Sequence, residues 1–130
     1  MHEKKLTIPD IRNRKNATPI AEVTAYDYPW ARLADQAGMD IVLVGDSLGM
    51  VVLGYTDTVS VTMEEMIHHT KAVVRGVEHA LVVTDMPFGP CSISTPAATA
   101  NAVRILKEAR ADAVKVEGGL AMARTGADMA

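Results

Sequence analysis

Apolar positions along the chain gather into short β-branched runs separated by longer stretches of helical period. Four runs stand out, at 20–24, 41–44, 81–84 and 113–116, each followed by a polar or glycine-containing segment and then a helix-like pattern. Strands alternating with helices in this way predict βα units and a parallel sheet. Between the first two runs, Leu33, Ala34 and Ala37 share one face of a short helix over 30–37, and Gly38 supplies a left-handed stop.

The next helix is marked by Thr62 and Glu65 at the spacing of a capping box, with Met63, Met66, Ile67, Thr70 and Val74 as its buried stripe. Glu64, His68, Lys71 and Arg75 fall opposite. In the third helix Thr95 is the expected cap and Pro96 the first helical residue. Its inward positions are Ala98, Ala102, Ile105, Leu106 and Ala109, and Asn101, Arg104, Lys107 and Glu108 face out. Residues 1–19 are charged and carry prolines, and are expected to wrap one end of the sheet with Leu6, Ile8 and Ile11 as apolar anchors. After Gly119 the pattern opens a further helix that Gly126 should cut, and no fifth strand follows. No linker, repeat or low-complexity tract interrupts the chain, so 1–130 reads as a single domain.

Composition narrows the function classes. An apolar share of 48% against 22% charged suits a packed core. Thirteen basic against sixteen acidic residues, with only Trp30, Phe88, Tyr26, Tyr28 and Tyr55 as aromatics, argue against a nucleic-acid partner. The single cysteine, Cys91, excludes an internal disulfide and fits a reducing, cytoplasmic setting. No window approaches the roughly 20 apolar residues of a membrane span, and the N-terminus does not read as a signal peptide.

Candidate chemistry is positional. Asp27, Asp46, Asp85 and Glu117 each come just after the carboxyl end of an expected strand, the edge at which parallel α/β proteins bind ligands. Any one of them could merely cap the following helix. Together they would repel one another without a cation, and oxygen-only ligation favours Mg²⁺ over zinc. Lys115 and Glu117 share one face of their strand, with Val114 and Val116 on the other. A lysine within a sheet layer needs an anionic partner, from the protein or from a ligand.

Other signals compete. Gly45-Asp46-Ser47-Leu48-Gly49 satisfies G-x-S-x-G and contains the Gly-Asp-Ser-Leu core of a serine esterase family. The expected Asp-x-x-His partner pair does not follow it. His68 and His69 diverge by about 100° on their helix and read as surface residues rather than a zinc pair. The eight methionines are read as core fillers, with Met50 beside the Gly-Asp-Ser loop, and Cys91 has no evident activator.

The chain closely resembles the ketopantoate hydroxymethyltransferases (3-methyl-2-oxobutanoate hydroxymethyltransferases), enzymes of pantothenate biosynthesis. The matching blocks are Thr24-Ala25-Tyr26-Asp27-Tyr28, Val44-Gly45-Asp46-Ser47-Leu48-Gly49-Met50, Val61-Thr62-Met63-Glu64-Glu65-Met66-Ile67-His68-His69-Thr70, Thr84-Asp85-Met86-Pro87-Phe88-Gly89 and Val114-Lys115-Val116-Glu117-Gly118-Gly119. The resemblance implies an α/β fold of the (β/α)₈ TIM-barrel type, of which this chain carries about the first four βα units. It also implies a homo-oligomer, a decamer in the family. The reaction it implies moves a one-carbon unit from 5,10-methylenetetrahydrofolate to 3-methyl-2-oxobutanoate, giving 2-dehydropantoate. By the same resemblance Asp46 and Asp85 ligate Mg²⁺, Glu117 supports the metal, and Asp46, Ser47, Asp85 and Lys115 bind the 2-oxo acid. The family's general-base glutamate and active-site histidine would lie in the other half, leaving no catalytic base within these residues. Arg110 stands where the family has a helix-ending glycine, and Pro90-Cys91 replaces a Gly-Ser-Tyr-like continuation. The remaining readings are a self-associating half barrel without activity, another Mg²⁺ enolate enzyme of the same superfamily, and a serine esterase using Ser47.

Overall fold

The computed structural model of the protein describes residues 4–90 and 93–130. Four strands, β1 (Glu22–Thr24), β2 (Ile41–Val44), β3 (Leu81–Asp85) and β4 (Ala113–Lys115), form one sheet in the order β1-β2-β3-β4. All three pairings are parallel, so each strand lies beside its sequence neighbour. An order that never reverses is that of consecutive units in a barrel, whereas a doubly wound sheet would fold back on itself.

The helices are α1 (Ile8–Arg12), α2 (Tyr28–Gln36), α3 (Leu48–Val51), α4 (Met63–Gly76), α5 (Thr95–Arg104) and α6 (Leu120–Met129). Helix α5 runs directly into a π-helical turn, Ile105–Ala109. Strand β2 alternates between half-buried Ile41 and Leu43 and buried Val42 and Val44. The buried face, which also carries Val82 and Thr84, packs on the helices, and Thr84 Oγ1 meets Thr70 Oγ1 of α4 at 3.0 Å. Two apolar clusters fill this layer. One is built around Val42, Val44, Leu48, Met66 and Val73, the other around Met63, Ile67, Ala98, Ala102 and Ile105. Val114 and Val116 join the second, as their alternation with Lys115 and Glu117 predicts.

The capping box of α4 forms, with Thr62 Oγ1 accepting the Glu65 N–H at 3.1 Å and Glu65 Oε2 accepting the Thr62 N–H at 2.8 Å. Val73, rather than Val74, completes its buried stripe. Gly38 takes φ +83 and ends α2 as expected.

Helix α2, however, buries Ala31 and Asp35, and Leu33 and Ala37 face outward. It lies against α4, where a Cβ on Gly76 would come within 2.6 Å of the Tyr28 carbonyl oxygen, so the close crossing selects the Ala31 face. Ser94, not Thr95, caps α5, its Oγ accepting the Ala97 N–H at 3.2 Å; the Thr95 hydroxyl instead meets Thr125 of α6 at 3.3 Å. Leu106 is 43% exposed because the π-turn shifts the helical phase, keeping Ile105 and Ala109 inward.

Helix α6 continues through Gly126, since Met122 and Met129 pack on the second cluster and outweigh the roughly 1 kcal/mol a helical glycine costs. At the other end of the chain Leu6 is buried, but Ile8 is 43% exposed. Ion pairs, rather than apolar groups, carry most of that segment's attachment to the amino ends of the strands. Lys5 Nζ reaches the Ala80 carbonyl at 2.6 Å and Asp112 at 2.8 Å, and Arg14 meets Asp40 at 2.5 Å.

Candidate functional site

At the carboxyl edge of the sheet the open face carries charge. Parallel register places Lys115 of β4 beside Asp85 of β3, and Lys115 Nζ lies 2.6 Å from Asp85 Oδ1. The same ammonium is 2.5 Å from Glu117 Oε1, two residues along on the same face. Asp85 is buried, and its Oδ2 accepts the Asp46 backbone N–H at 3.2 Å. Three of the four expected strand-end carboxylates, with the lysine, therefore meet here.

Their electrostatics are coupled. Burial, followed by the negative charges of Asp85 and Glu117, holds the Asp46 pKa above the ordinary aspartate value against the pull of Lys115 and a hydrogen bond from Thr58. Burial alone would lower the Lys115 pKa. The hydrogen bonds it donates to Asp85 and Glu117 outweigh burial, so the ammonium titrates above an ordinary lysine and stays charged at neutral pH. Among the described residues no group of three or more His, Cys, Asp or Glu side chains is arranged to hold a metal. Glu117 is turned to the lysine rather than to Asp46.

Gly45 shapes the floor. A Cβ there would stand 3.0 Å from Ser47 Oγ and 3.4 Å from Asp85 Oδ2, so both polar atoms front a notch that only a glycine leaves open. The Ser47 hydroxyl lies 2.8 Å from Tyr26 Oη. Its backbone is right-handed helical, φ −54 and ψ −15, and among the described residues its hydroxyl is bonded to Tyr26 and to no histidine: His69 directs Nδ1 to the Tyr26 carbonyl oxygen at 2.7 Å. That geometry gives no support to an esterase.

Asp27 does not join the group. It is the N-cap of α2, with Oδ1 accepting the Trp30 N–H at 3.0 Å, the plainer of the two roles open to a strand-end acid. Met50 is 49% exposed, and Cys91 lies outside the described residues. His69, expected on the surface, is instead half-buried and tied to β1's end, and nothing in the sequence around Tyr26 marks it as a partner of Ser47. Neither role is legible locally, because the contacts join residues 43 and 21 positions apart.

Four parallel strands in unreversed order, each followed by helix, define part of a (β/α)-barrel protein, with the carboxylate and lysine cluster at the edge where such barrels bind ligands. The family profile described as ketopantoate hydroxymethyltransferase matches residues 5–130, and the chain belongs to that family. It is 56% identical over 123 residues to the 3-methyl-2-oxobutanoate hydroxymethyltransferase of Heliobacterium modesticaldum, covering 94% of this chain and 45% of that one. With the protein of the same name from Moorella thermoacetica it shares 59% over 122 residues, covering 93% and 45%. The chain thus spans less than half the length of the curated relatives it matches.

Among solved structures, phosphoenolpyruvate phosphomutase from Streptomyces platensis subsp. rosaceus superposes with a TM-score of 0.65 at 21% identity, covering 85% of this chain and 38% of that one. A 2,3-dimethylmalate lyase of the PEP mutase/isocitrate lyase superfamily gives 0.62 at 16%, covering 88% and 39%. These likenesses establish the partial-barrel fold that the family resemblance implies.

Proposed function

We propose that this chain supplies the oxo-acid side of a 3-methyl-2-oxobutanoate hydroxymethyltransferase site. The reaction consumes 5,10-methylenetetrahydrofolate, 3-methyl-2-oxobutanoate and water and yields 2-dehydropantoate and tetrahydrofolate, a step of pantothenate biosynthesis. The observation that carries the reading is the Asp46, Asp85, Lys115 and Glu117 cluster on the open sheet face of a chain more than 50% identical to relatives of that name. The protein acts as a homo-oligomer in the cytoplasm in this reading; among the described residues no helix is long and apolar enough to cross a membrane.

The donor set fits Mg²⁺, which typically takes one or two carboxylates and completes its shell with water and substrate oxygens. Asp46 and Asp85 would hold it, beside the notch at Gly45, with Glu117 supporting through Lys115. Bound there, Mg²⁺ would act as a Lewis acid on the keto oxygen as C3 loses its proton. Lys115, kept protonated by its two carboxylate partners, adds a fixed positive charge facing the same oxygen atoms. Ser47 donates to the substrate carboxylate. The carbon freed of its proton then bonds to the methylene carbon of the folate. The two bonds from that carbon to the folate nitrogens break, water supplies the hydroxyl oxygen, and the proton from C3 and one proton of water end on those nitrogens. The resemblance places the base that takes the C3 proton in the other half of the barrel.

Asp85→Asn tests the assignment. In the intact protein it should weaken Mg²⁺-dependent binding of 3-methyl-2-oxobutanoate, read by calorimetry, and lower turnover about 100-fold or more, since a charged ligand of the reacting group is lost. An unchanged rate at saturating substrate would refute the role.

A further inference from the structure

The turn that follows β1 carries a contact that the reaction outlined above does not use. Tyr26 places Oη 2.8 Å from Ser47 Oγ, and its carbonyl oxygen accepts from His69 Nδ1 at 2.7 Å. One residue thereby joins the end of β1 to the loop after β2 and to α4. Ser47 stands at the N-cap of α3, where a serine hydroxyl ordinarily accepts a backbone N–H, yet it makes no such bond. Its oxygen is turned away from its own helix and toward Tyr26. The absence of a side chain at Gly45 leaves room for that orientation, and the Ser47 hydroxyl and the Asp85 carboxylate front the same notch.

The direction of the proton follows from acidity. A phenol is a better donor than an alkyl hydroxyl, so Tyr26 Oη–H donates to Ser47 Oγ and leaves the serine proton free to point into the notch. A donor that itself accepts a hydrogen bond is polarised and donates more strongly. With the order reversed, Ser47 would offer only lone pairs to the notch, beside a carboxylate already there, and an anion would be repelled.

We infer that Tyr26 is a positioning residue for substrate recognition: it holds the Ser47 hydroxyl out of its helix cap and aims its proton at the anionic group of a 2-oxo acid, while His69 fixes Tyr26 through its carbonyl. The inference rests on the reading of the notch as the oxo-acid site. Tyr26→Phe removes one oxygen and keeps the ring that packs on the core around Ala25 and Val44.

The experiment is a double-mutant cycle in the intact protein, measuring Mg²⁺-dependent binding of 3-methyl-2-oxobutanoate together with KM and kcat. Tyr26→Phe should raise the Kd and KM about 5- to 10-fold, the worth of one hydrogen bond, with kcat changed less than 2-fold. Placed on Ser47→Ala, the same substitution should cost less than 2-fold, because Tyr26 acts only through the serine. Equal losses in both backgrounds would overturn the relay, as would no loss from Tyr26→Phe where Ser47→Ala itself impairs binding; the site reading would survive either result. A Ser47→Ala variant that binds the 2-oxo acid like the parent would overturn the site reading and the relay together.

Discussion

Asp35 is a heavily committed acid on α2 and takes no part in the cluster at the carboxyl edge of the sheet. Buried on α2, it accepts the backbone N–H groups of Glu78, His79 and Ala80 at 2.7–3.3 Å and faces His79 Nδ1 at 3.0 Å. Burial raises its pKa, but the hydrogen bonds from Ala80, Glu78 and His79 more than offset this and leave it below the ordinary aspartate value. The unfolded chain therefore binds the proton more readily than the folded one. Its stabilising contribution is full above the unfolded value, near pH 3.9, and is lost as the pH falls through the lower folded value. Asp35→Ala strands buried N–H donors and should cost about 3 kcal/mol at pH 7, with a smaller cost once the parent carboxylate is protonated, read by denaturant unfolding across pH. A cost independent of pH would remove the carboxylate from the account. Asp46, Asp85, Lys115 and Glu117 were legible because strand alternation and strand-end position are local properties. Asp35 was not, since a mid-helix aspartate looks like a solvated residue until the chain 43 positions on is folded against it.

At the scale of elements the same division holds. The α4 start was readable to the residue, because a Thr62 and Glu65 pair satisfies two orphan N–H groups with no help from the rest of the fold. The buried face of α2 was not, since it is chosen by the approach of α4 at Gly76 rather than by apolar spacing. Nor was the passage of α6 through Gly126, where packing of Met122 and Met129 decides. The end of the π-turn combines both kinds of information. Arg110 closes it at φ +63, ψ +32, a left-handed conformation in which an L side chain crowds its own backbone by roughly 1 kcal/mol or more. The family resemblance marked this position as one that favours glycine, and the dihedral gives the physical reason. The arginine is exposed, so little packing opposes its replacement. Arg110→Gly should accordingly stabilise the protein by about 0.5–1 kcal/mol in equilibrium unfolding, net of the entropy glycine adds to the unfolded chain. A destabilised variant would show that the arginine side chain does more than tolerate the turn.

For the molecule as a whole, the decisive feature is that the described residues cover one face of the parallel sheet fully and the other only in part, at Leu81 and Asp85. Parallel sheets ordinarily bury both faces, yet Ile41, Leu43 and Val83 are only half-buried and all of β1 is exposed. Beside β1 runs an apolar groove of about 300 Å³ lined by Val23, Trp30, Leu33, Ala37 and Met39. Trp30 is 66% and Leu33 54% exposed there. This is also why the outward Leu33 and Ala37 of α2 look like core positions in the sequence: their apolar character suits a covered surface, and the described residues do not cover it. The relatives, more than twice as long, have chain to spare for it. A polypeptide of these 130 residues alone presents an unpaired strand edge and a contiguous apolar strip, the combination that drives edge-to-edge association. It should therefore sediment as dimers or larger species at tens of micromolar concentration. Placing charge on the edge and in the groove, with Val23→Lys and Leu33→Lys together, should shift it toward monomer without lowering its melting temperature, since both side chains are already half exposed or close to it. A parent polypeptide that sediments as a single monomeric species would mean that the open face closes by rearrangement within the chain, and the orientation of α2 would then have to differ from the one described.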